Sequence, residues 1–235
     1  MKWISKIVVG TTLAIALLTG TGATAVAQEY KYEFGGAVGG ANYMGDANPT
    51  NVFRAWNPAG GIVFRDNLNF RWALSTGLLM GKVKGSTLNR PGNVFPNQEQ
   101  AAFERTFVEL AEHIEFNFVP YSDKYSYLNT SRISPYIFTG LGLTVANGNE
   151  TFFGIHVPLG LGVKYKLRNR LNLGLEWTVH QLFQDDFDAP NKSGFNLNDP
   201  YRTNSGLFKN KDGYNTVVVS ITWEFGLRDG RCATE

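Results

Sequence analysis

The sequence predicts an all-β protein, an eight-stranded antiparallel transmembrane β-barrel in which strands that follow one another in the chain are neighbours. Three observations predict this fold class. Beyond residue 27, apolar residues alternate with small or polar ones in segments about ten residues long, as in membrane barrel strands. Eight such segments are found, an even number, as single-chain bacterial barrels require. No later apolar run approaches the roughly 20 residues that a membrane helix needs.

The first 27 residues predict a cleaved signal peptide. Lys2 and Lys6 precede an apolar stretch at 7–18, and the small residues of 25–27 form a signal-peptidase site, so we expect Gln28 to begin the mature chain. The apolar stretch is short for a membrane span, and no lipid-accepting Cys lies near the cleavage point. The predicted parts are a signal peptide at 1–27, an outer-membrane β-barrel at 28–226 and a periplasmic C-terminal tail at 227–235.

The charge balance and the cysteine content exclude several classes of protein. The chain has 22 Lys and Arg against 20 Asp and Glu. Loss of Lys2 and Lys6 with the signal peptide leaves the mature chain formally neutral, which argues against a nucleic-acid binder. A single Cys is too few for a disulfide-held exported fold, so backbone pairing and burial must hold this one.

The clearest predicted strands lie on the two sides of a short turn at 168–170. One strand places its apolar residues at every second position, and these are Val157, Leu159, Leu161, Val163, Tyr165 and Leu167. The next strand does the same with Leu171, Leu173, Leu175, Trp177 and Val179. The last strand repeats the pattern with Val217, Val219, Ile221, Trp223 and Phe225. The remaining five strands are predicted at 30–40, 56–65, 70–84, 107–118 and 133–145.

A soluble antiparallel barrel or sandwich is the alternative, and two features argue against it. The residues between the apolar positions are small or polar, which suits the lumen of a narrow barrel. Aromatic residues also collect at strand ends, as expected at a membrane interface. These residues are Tyr30, Tyr32, Phe70, Trp72, Phe118, Tyr121, Tyr165, Trp223 and Phe225. The predicted architecture is an up-and-down meander like those of OmpA and OmpX.

The lengths of the connections predict the orientation of the barrel. The connections at 41–55, 85–106 and 181–213 are long and fall on one end. Those at 66–69, 119–132 and 168–170 fall on the other end. Outer-membrane barrels keep short turns in the periplasm and long loops outside, so both termini are predicted to be periplasmic.

The lumen of an eight-stranded barrel is about wide enough for its own side chains, so we expect no open pore. The alternation predicts that several charged residues point inward, where a structural ion-pair network is the simplest interpretation. A proton path or a catalytic dyad is the alternative. The predicted inward residues are Glu33, Arg71, Glu109, Glu115, Lys164, Glu176 and Glu224.

No catalytic, cofactor or metal site is predicted. His113, His156 and His180 are expected to be dispersed in the lumen with satisfied hydrogen bonds, because a metal site needs converging ligands. The carboxylates of Asp185, Asp186 and Asp188 lack the spacing of a known calcium loop and are expected to cap turns. Ser193, His180 and Asp186 could form a Ser/His/Asp set, but any loop this polar contains such residues by chance. The protein is therefore predicted not to be an enzyme.

Cys232 follows the last strand. In an exported protein an unpaired Cys indicates either an intermolecular disulfide or a free thiol on a frayed tail. The sequence favours neither.

Several segments together resemble the PorG-like family of outer-membrane barrels. Its first strand and loop are matched by Tyr32-Glu33-Phe34-Gly35-Gly36 and Tyr43-Met44-Gly45-Asp46. Its fourth strand is matched by Ile114-Glu115-Phe116-Asn117-Phe118 with Tyr121, and its fifth by Ser134-Pro135-Tyr136-Ile137-Phe138 with Gly140-Leu141-Gly142. The last long loop is flanked by Asp185-Asp186-Phe187-Asp188 and Lys211-Asp212-Gly213-Tyr214, which resemble the markers of the family there.

The resemblance implies a non-catalytic subunit of the type IX protein secretion system. In that system the barrel is associated with a periplasmic ring of a lipoprotein and its partner protein, and it is not the translocating pore. On this reading the partner-binding residues come from the 119–132 connection and the tail, and they are Tyr121, Asp123, Tyr125, Arg228, Arg231 and Cys232. The alternative is a small surface barrel whose loops at 85–106 and 181–213 bind an external ligand or a host surface.

Overall fold

The computed structural model describes the chain at residues 30–45, 56–86, 102–122, 129–148, 151–184, 187 and 212–227. This described part forms one closed β-barrel, and each strand pairs antiparallel with the strands before and after it. The last strand pairs with the first from Tyr30↔Leu227 to Met44↔Gly213, which closes the sheet. The eight strands are β1 Tyr30–Met44, β2 Asn57–Asn67, β3 Trp72–Ser86, β4 Ala102–Asn117, β5 Ile133–Asn147, β6 Phe152–Arg168, β7 Leu171–Leu182 and β8 Gly213–Leu227.

The predicted eight-stranded antiparallel barrel is confirmed. We call the end with Tyr30 and Leu227 the terminal end; its connections are 68–71, 118–132 and 169–170. The opposite end, with the connections 45–56, 87–101, 148–151 and 183–212, is the loop end. Most strands run further towards the loop end than predicted, because backbone pairing continues where the outward residues stop being apolar.

The outer face of the barrel is a belt of exposed apolar side chains. On a soluble protein an apolar surface of this extent would be covered, whereas lipid covers it on a membrane barrel. Its members include Phe34, Val38, Ile62, Leu78, Met80, Leu110, Ile137, Leu141, Ile155, Leu159, Leu161, Leu175, Val219 and Ile221. The fold and its apolar outer wall are those of a transmembrane barrel.

The described residues contain no helix whose length and hydropathy would let it cross a membrane.

The predicted aromatic rim is present in part. At the terminal end Trp72, Phe118, Tyr165, Trp223 and Phe225 are exposed on the outer face, where interfacial aromatic rings are expected. The prediction is wrong for three other residues, whose rings are buried because they fill the end of the barrel. These are Tyr30, Phe70 and Tyr121.

The β3–β4 hairpin extends beyond the apolar belt at the loop end. Met80 and Val108 are its last apolar outward residues, and the next positions on that face include Lys82 and Glu104. Further along, Lys84 Nζ lies 3.3 Å from a carboxylate oxygen of Glu104. The pairing of the two strands continues to Ser86↔Ala102.

Strands approach one another closely at glycines. A Cβ atom added to Gly35 would lie 1.9 Å from the carbonyl oxygen of Ile221 on the adjacent strand β8. A Cβ at Gly140 would lie 1.8 Å from the carbonyl oxygen of Glu112 on β4. No side chain larger than hydrogen fits at these points without moving the neighbouring backbone, so glycine there sets the coiling of the wall.

Glu112 interrupts the apolar belt between Leu110 and Ile114. Its carboxylate accepts a hydrogen bond from the Thr76 hydroxyl across the strand pair. Because a carboxylate on the lipid face is unfavourable, we expect Glu112→Leu to raise the free energy of unfolding in phospholipid by about 1–2 kcal/mol. Urea titration of the folded barrel in vesicles measures this change in the free energy of unfolding. Glu104→Leu, beyond the belt, is the matched control and should change stability little; destabilisation by Glu112→Leu contradicts the prediction.

Candidate functional site

The lumen is the candidate functional site, because the charged and histidine side chains that the sequence offers for chemistry are collected there. Across the described residues it is filled by side chains in four layers. From the terminal end to the loop end these are a lysine layer, a network around Arg65, a histidine cluster and an aromatic cap.

The lysine layer closes the lumen near the terminal end. Lys166 Nζ lies 2.8 and 2.9 Å from the two carboxylate oxygens of Glu224. The Asn172 side-chain amide donates to Glu224 Oε1 at 2.9 Å. The Tyr121 hydroxyl donates to Asn172 Oδ1 at 2.8 Å, and Lys166 Nζ lies 5.4 Å from the centre of the Tyr121 ring. Tyr121 is therefore anchored inside the barrel end, and its ring is almost fully buried.

The Arg65 network occupies the next layer. The Arg65 guanidinium contacts three carboxylates, with Nη1 2.9 Å from Glu33, Nε 2.8 Å from Glu115 and Nη2 3.1 Å from Glu176. Lys164 pairs with the second oxygen of Glu115. These five residues come from β1, β2, β4, β6 and β7, so one set of charges links strands from all around the wall.

The carboxylates of the Arg65 network accept further hydrogen bonds from neutral groups. Asn67 Nδ2 donates to Glu33 at 2.9 Å, and the Thr222 hydroxyl donates to Glu33 at 2.8 Å. The Tyr136 hydroxyl donates to Glu176. A buried ion-pair network is tolerated only when such bonds satisfy the remaining lone pairs, and here the groups lie in good geometry. The arrangement is that of a structural network.

The histidine cluster lies between the Arg65 network and the loop end. Glu109 Oε1 on β4 faces two imidazole nitrogens, His180 Nδ1 at 3.3 Å and His156 Nε2 at 3.4 Å. Glu109 Oε2 accepts a hydrogen bond from the Tyr214 hydroxyl at 2.8 Å. The Tyr214 ring stacks on His180 with 4.3 Å between ring centres.

The aromatic cap fills the lumen at the loop end. Its rings come from four strands and from Phe187, which follows β7, and they are Tyr43, Phe103, Phe107, Phe152, Phe187 and Tyr214. Tyr43 and Phe103 meet edge to face with ring centres 4.7 Å apart, and the Tyr43 hydroxyl donates to Asp212 at 2.6 Å. The cap and the two ion-pair layers leave no open channel through the described barrel.

The prediction of inward charges is largely confirmed. The structure buries Glu33, Glu109, Glu115, Lys164 and Glu224 in the lumen, and Glu176 is mostly enclosed there. The prediction is wrong for Arg71, which lies in the turn before β3, is exposed and donates to the carbonyl oxygen of Phe118. Sequence reasoning missed Arg65, which it treated as the last residue of a strand that continues to Asn67.

The expectation that the three histidines are dispersed is wrong for two of them, because His156 and His180 converge on Glu109. His113 lies apart from this convergence, with its ring 5.0 Å from that of Phe138. Alternation had placed all three on the inner face, but it carries no information about which strands meet across the lumen.

Of the residues predicted to bind a partner, the structure describes only Tyr121. Tyr121 is buried in the lysine layer and presents no surface to a partner there. The remaining residues of the predicted partner-binding, calcium and Ser/His/Asp sets lie outside the described part of the chain. They are Asp123, Tyr125, Asp185, Asp186, Asp188, Ser193, Arg228, Arg231 and Cys232.

Comparison with protein families matches residues 12–234 to a model described as a domain of unknown function, DUF6089. The chain belongs to the DUF6089 family. None of the curated proteins matches this DUF6089 chain.

Solved structures similar to the DUF6089 barrel include several outer-membrane proteins. Neisserial surface protein A, from Neisseria, aligns with a TM-score of 0.48 and 11% identity over 83% of this chain and 97% of that one. Ail of Yersinia pestis, in complex with the heparin analogue sucrose octasulfate, aligns with a TM-score of 0.45 and 8% identity over 83% of this chain and 99% of that one. OprG from Pseudomonas aeruginosa aligns with a TM-score of 0.43 and 11% identity over 85% of this chain and 97% of that one.

Proposed function

We propose that this DUF6089 barrel resides in the outer membrane and is a non-catalytic subunit of the type IX protein secretion system. Its role is to anchor a periplasmic ring formed by a lipoprotein and its partner protein. The observation that carries the proposal is the filled lumen. A barrel without a passage is suited to holding other proteins at its ends, and unsuited to conducting a substrate.

The choice of secretion system rests on the sequence resemblance to PorG-like barrels. The filled lumen supports it, because that family's barrel is not the translocating pore. The absence of a catalytic role is also supported by the way the lumen charges are used. The carboxylates of the Arg65 network point at cations and hydroxyls that satisfy them.

The terminal end offers a surface suited to docking. Among the described residues, the turns and strand ends there expose four arginines, Arg71, Arg132, Arg168 and Arg170. Arginine forms bidentate pairs with carboxylates and is enriched at protein interfaces. We assign this arginine face to the periplasm, where it would receive an acidic surface of the ring. The predicted contacts Asp123, Tyr125, Arg228, Arg231 and Cys232 belong to segments that continue from the same end.

An affinity pull-down from gently solubilised outer membranes, followed by mass spectrometry, tests this function. We expect stoichiometric recovery of the periplasmic ring proteins with the wild-type barrel. Changing Arg71, Arg132, Arg168 and Arg170 together to Glu should abolish that recovery by charge repulsion while the barrel still folds. The matched control changes Lys82 and Lys84, exposed at the loop end, to Glu and should keep the ring.

Recovery of the barrel alone, under conditions that preserve the ring, contradicts the scaffold role and favours the surface-binding alternative. That alternative is tested by shortening the connections at 87–101 and 188–211, which leaves all eight strands intact. Secretion should survive this change if the barrel is a scaffold, whereas adhesion should fail if the loops bind a surface. Paired reducing and non-reducing gels of wild type and Cys232→Ser show whether Cys232 forms an intermolecular disulfide.

A further inference from the structure

Two lumen histidines and one carboxylate converge in a way that neither the fold nor the proposed function requires. His180 Nδ1 and His156 Nε2 both face Glu109 Oε1, and all three side chains are buried. Within the part of the chain that the structure describes, neither of these two nitrogens makes a hydrogen bond. We propose that Glu109, His156 and His180 form a binding site for a divalent transition-metal ion, with Zn²⁺ as its representative.

The surrounding hydrogen bonds determine which nitrogen of His156 carries a proton. An ionised carboxylate only accepts, so the single Tyr214 hydroxyl proton goes to Glu109 Oε2. Thr144 must then donate to the Tyr214 oxygen, 2.8 Å away. The Thr144 oxygen in turn accepts from His156 Nδ1 at 3.0 Å. His156 is thus protonated on Nδ1, and its Nε2, which faces the negatively charged Glu109 Oε1, carries either a second proton or a lone pair that a cation between the two atoms would accept.

The distances fit a metal ion better than bridging protons. Hydrogen bonds between imidazolium and carboxylate are about 2.7–2.9 Å long, shorter than the 3.3 and 3.4 Å seen here. In a tetrahedral site with metal–ligand bonds of about 2.0–2.1 Å, adjacent ligand atoms are about 3.3 Å apart. The ligand atoms of Glu109, His156 and His180 all lie within 4.8 Å of one another, so the two imidazole nitrogens would have to move closer together to complete the third edge of the tetrahedron.

Each of the three proposed ligands is held in a fixed orientation by a hydrogen bond to the polar atom that does not face the metal position. His156 is held by Thr144 through Nδ1, and His180 Nε2 lies 3.1 Å from the Thr216 hydroxyl. Tyr214 holds the second carboxylate oxygen of Glu109. Metal-bound imidazoles almost always use their other nitrogen in this way, which fixes the tautomer and the ring orientation.

The wall of the barrel makes room for this convergence at Gly142. Strand β5 lies between the strands that carry Glu109 and His156, and the His156 ring must cross it. A Cβ at Gly142 would lie 2.3 Å from His156 Nε2, so the crossing depends on the absence of a side chain there.

A small space beside the cluster supplies the position for a fourth ligand. A pocket of about 60 Å³ is lined by Glu109, His180 and His113, among others, but not by His156. This volume is enough for a water molecule, which liquid packing gives about 30 Å³. Two imidazoles, one carboxylate and one water form a donor set that suits Zn²⁺ and other first-row divalent ions. A bound ion would tie β4, β6 and β7 together beneath the aromatic cap.

The test is zinc binding by the full-length mature barrel, carrying Cys232→Ser and a tag without histidines. Because the lumen is closed, the metal is offered during refolding from urea into detergent micelles, and the zinc content is measured after desalting. We expect one Zn²⁺ per folded chain. Glu109→Gln, His156→Asn and His180→Asn should each weaken binding at least about 100-fold, since each removes a ligand. Glu104→Gln, which changes an exposed carboxylate outside the lumen, should bind as wild type does.

Two further measurements keep the proposal falsifiable if a ligand variant fails to fold. Gly142→Ala retains all three ligands but displaces the His156 ring, and we expect weaker zinc binding with the folded gel mobility preserved. Cobalt(II) in the wild-type barrel should give the intense visible bands of four-coordinate Co²⁺. The proposal is overturned if the folded wild type takes up no stoichiometric zinc, which would indicate protons between these groups. It is also overturned if zinc uptake persists in all three ligand variants.

Discussion

Replacing Arg65 by Met is expected to lower the free energy of unfolding of the barrel by about 3–5 kcal/mol, the usual penalty for removing one partner from a buried charge network. The guanidinium is buried and contacts Glu33, Glu115 and Glu176. Without it, three carboxylates remain with Lys164 as their only cation in the network. Urea titration in phospholipid vesicles, followed by tryptophan fluorescence and by gel mobility, measures the loss.

Two companion variants separate this effect from general damage. Adding Glu33→Gln and Glu115→Gln to Arg65→Met should recover most of the stability, because Lys164 then balances the single remaining carboxylate, Glu176. Arg71→Met, which removes an exposed arginine, should change stability by no more than about 0.5 kcal/mol. If Arg65→Met alone is neutral, water penetrates the lumen well enough to solvate the carboxylates, and the network does not hold the barrel.

Replacing Gly35 by Ala is expected to destabilise the barrel by about 3 kcal/mol, at the upper end of overpacking costs, or to prevent folding. The added methyl group would lie 1.9 Å from the Ile221 carbonyl oxygen and 2.6 Å from the Thr222 Cα. Both are backbone atoms of β8, the strand whose pairing with β1 closes the sheet. The clash can be relieved only by separating these two strands. Refolding yield and urea titration detect it.

The adjacent residue provides the control. A Cβ at Gly36 meets nothing nearer than a carbonyl oxygen at 3.8 Å, so Gly36→Ala should leave stability nearly unchanged. A similar small effect at Gly35 would mean that the β1–β8 seam can open by the width of a methyl group, contrary to the close approach described above.

The number and order of the strands could be predicted because lipid imposes a strict alternation on the outer wall. Val157 to Leu167 shows this with every second residue apolar. The same reasoning fails where the wall leaves the lipid, which is why β4 begins at Ala102 when 107 was predicted. It also misplaced Arg71, since alternation assigns a face only to residues that belong to a strand.

The histidine cluster could not be predicted from the sequence for a different reason. Alternation shows that His156 and His180 point inward, but not how high each lies along the barrel axis or which strand it faces. Those quantities depend on the tilt and stagger of the strands, which are properties of the closed sheet. Gly142, over which the His156 ring passes, is unremarkable among the many glycines of the chain until the register of β4, β5 and β6 is known.

The paired strands β3 and β4 project well beyond the apolar belt at the loop end. Ser86 lies six residues beyond Met80, the last apolar outward residue of β3, and the strand is paired over this whole length. At about 3.3 Å per residue and a tilt of about 40°, this length lifts the end of the hairpin about 15 Å along the membrane normal. The paired end of β3 and β4, at Ser86 and Ala102, therefore stands clear of the lipid and carries charged side chains such as Lys84 and Glu104. A molecule that contacts Ser86 and Ala102 does so well beyond the apolar belt, out of reach of one that stays at the level of Met80 and Val108.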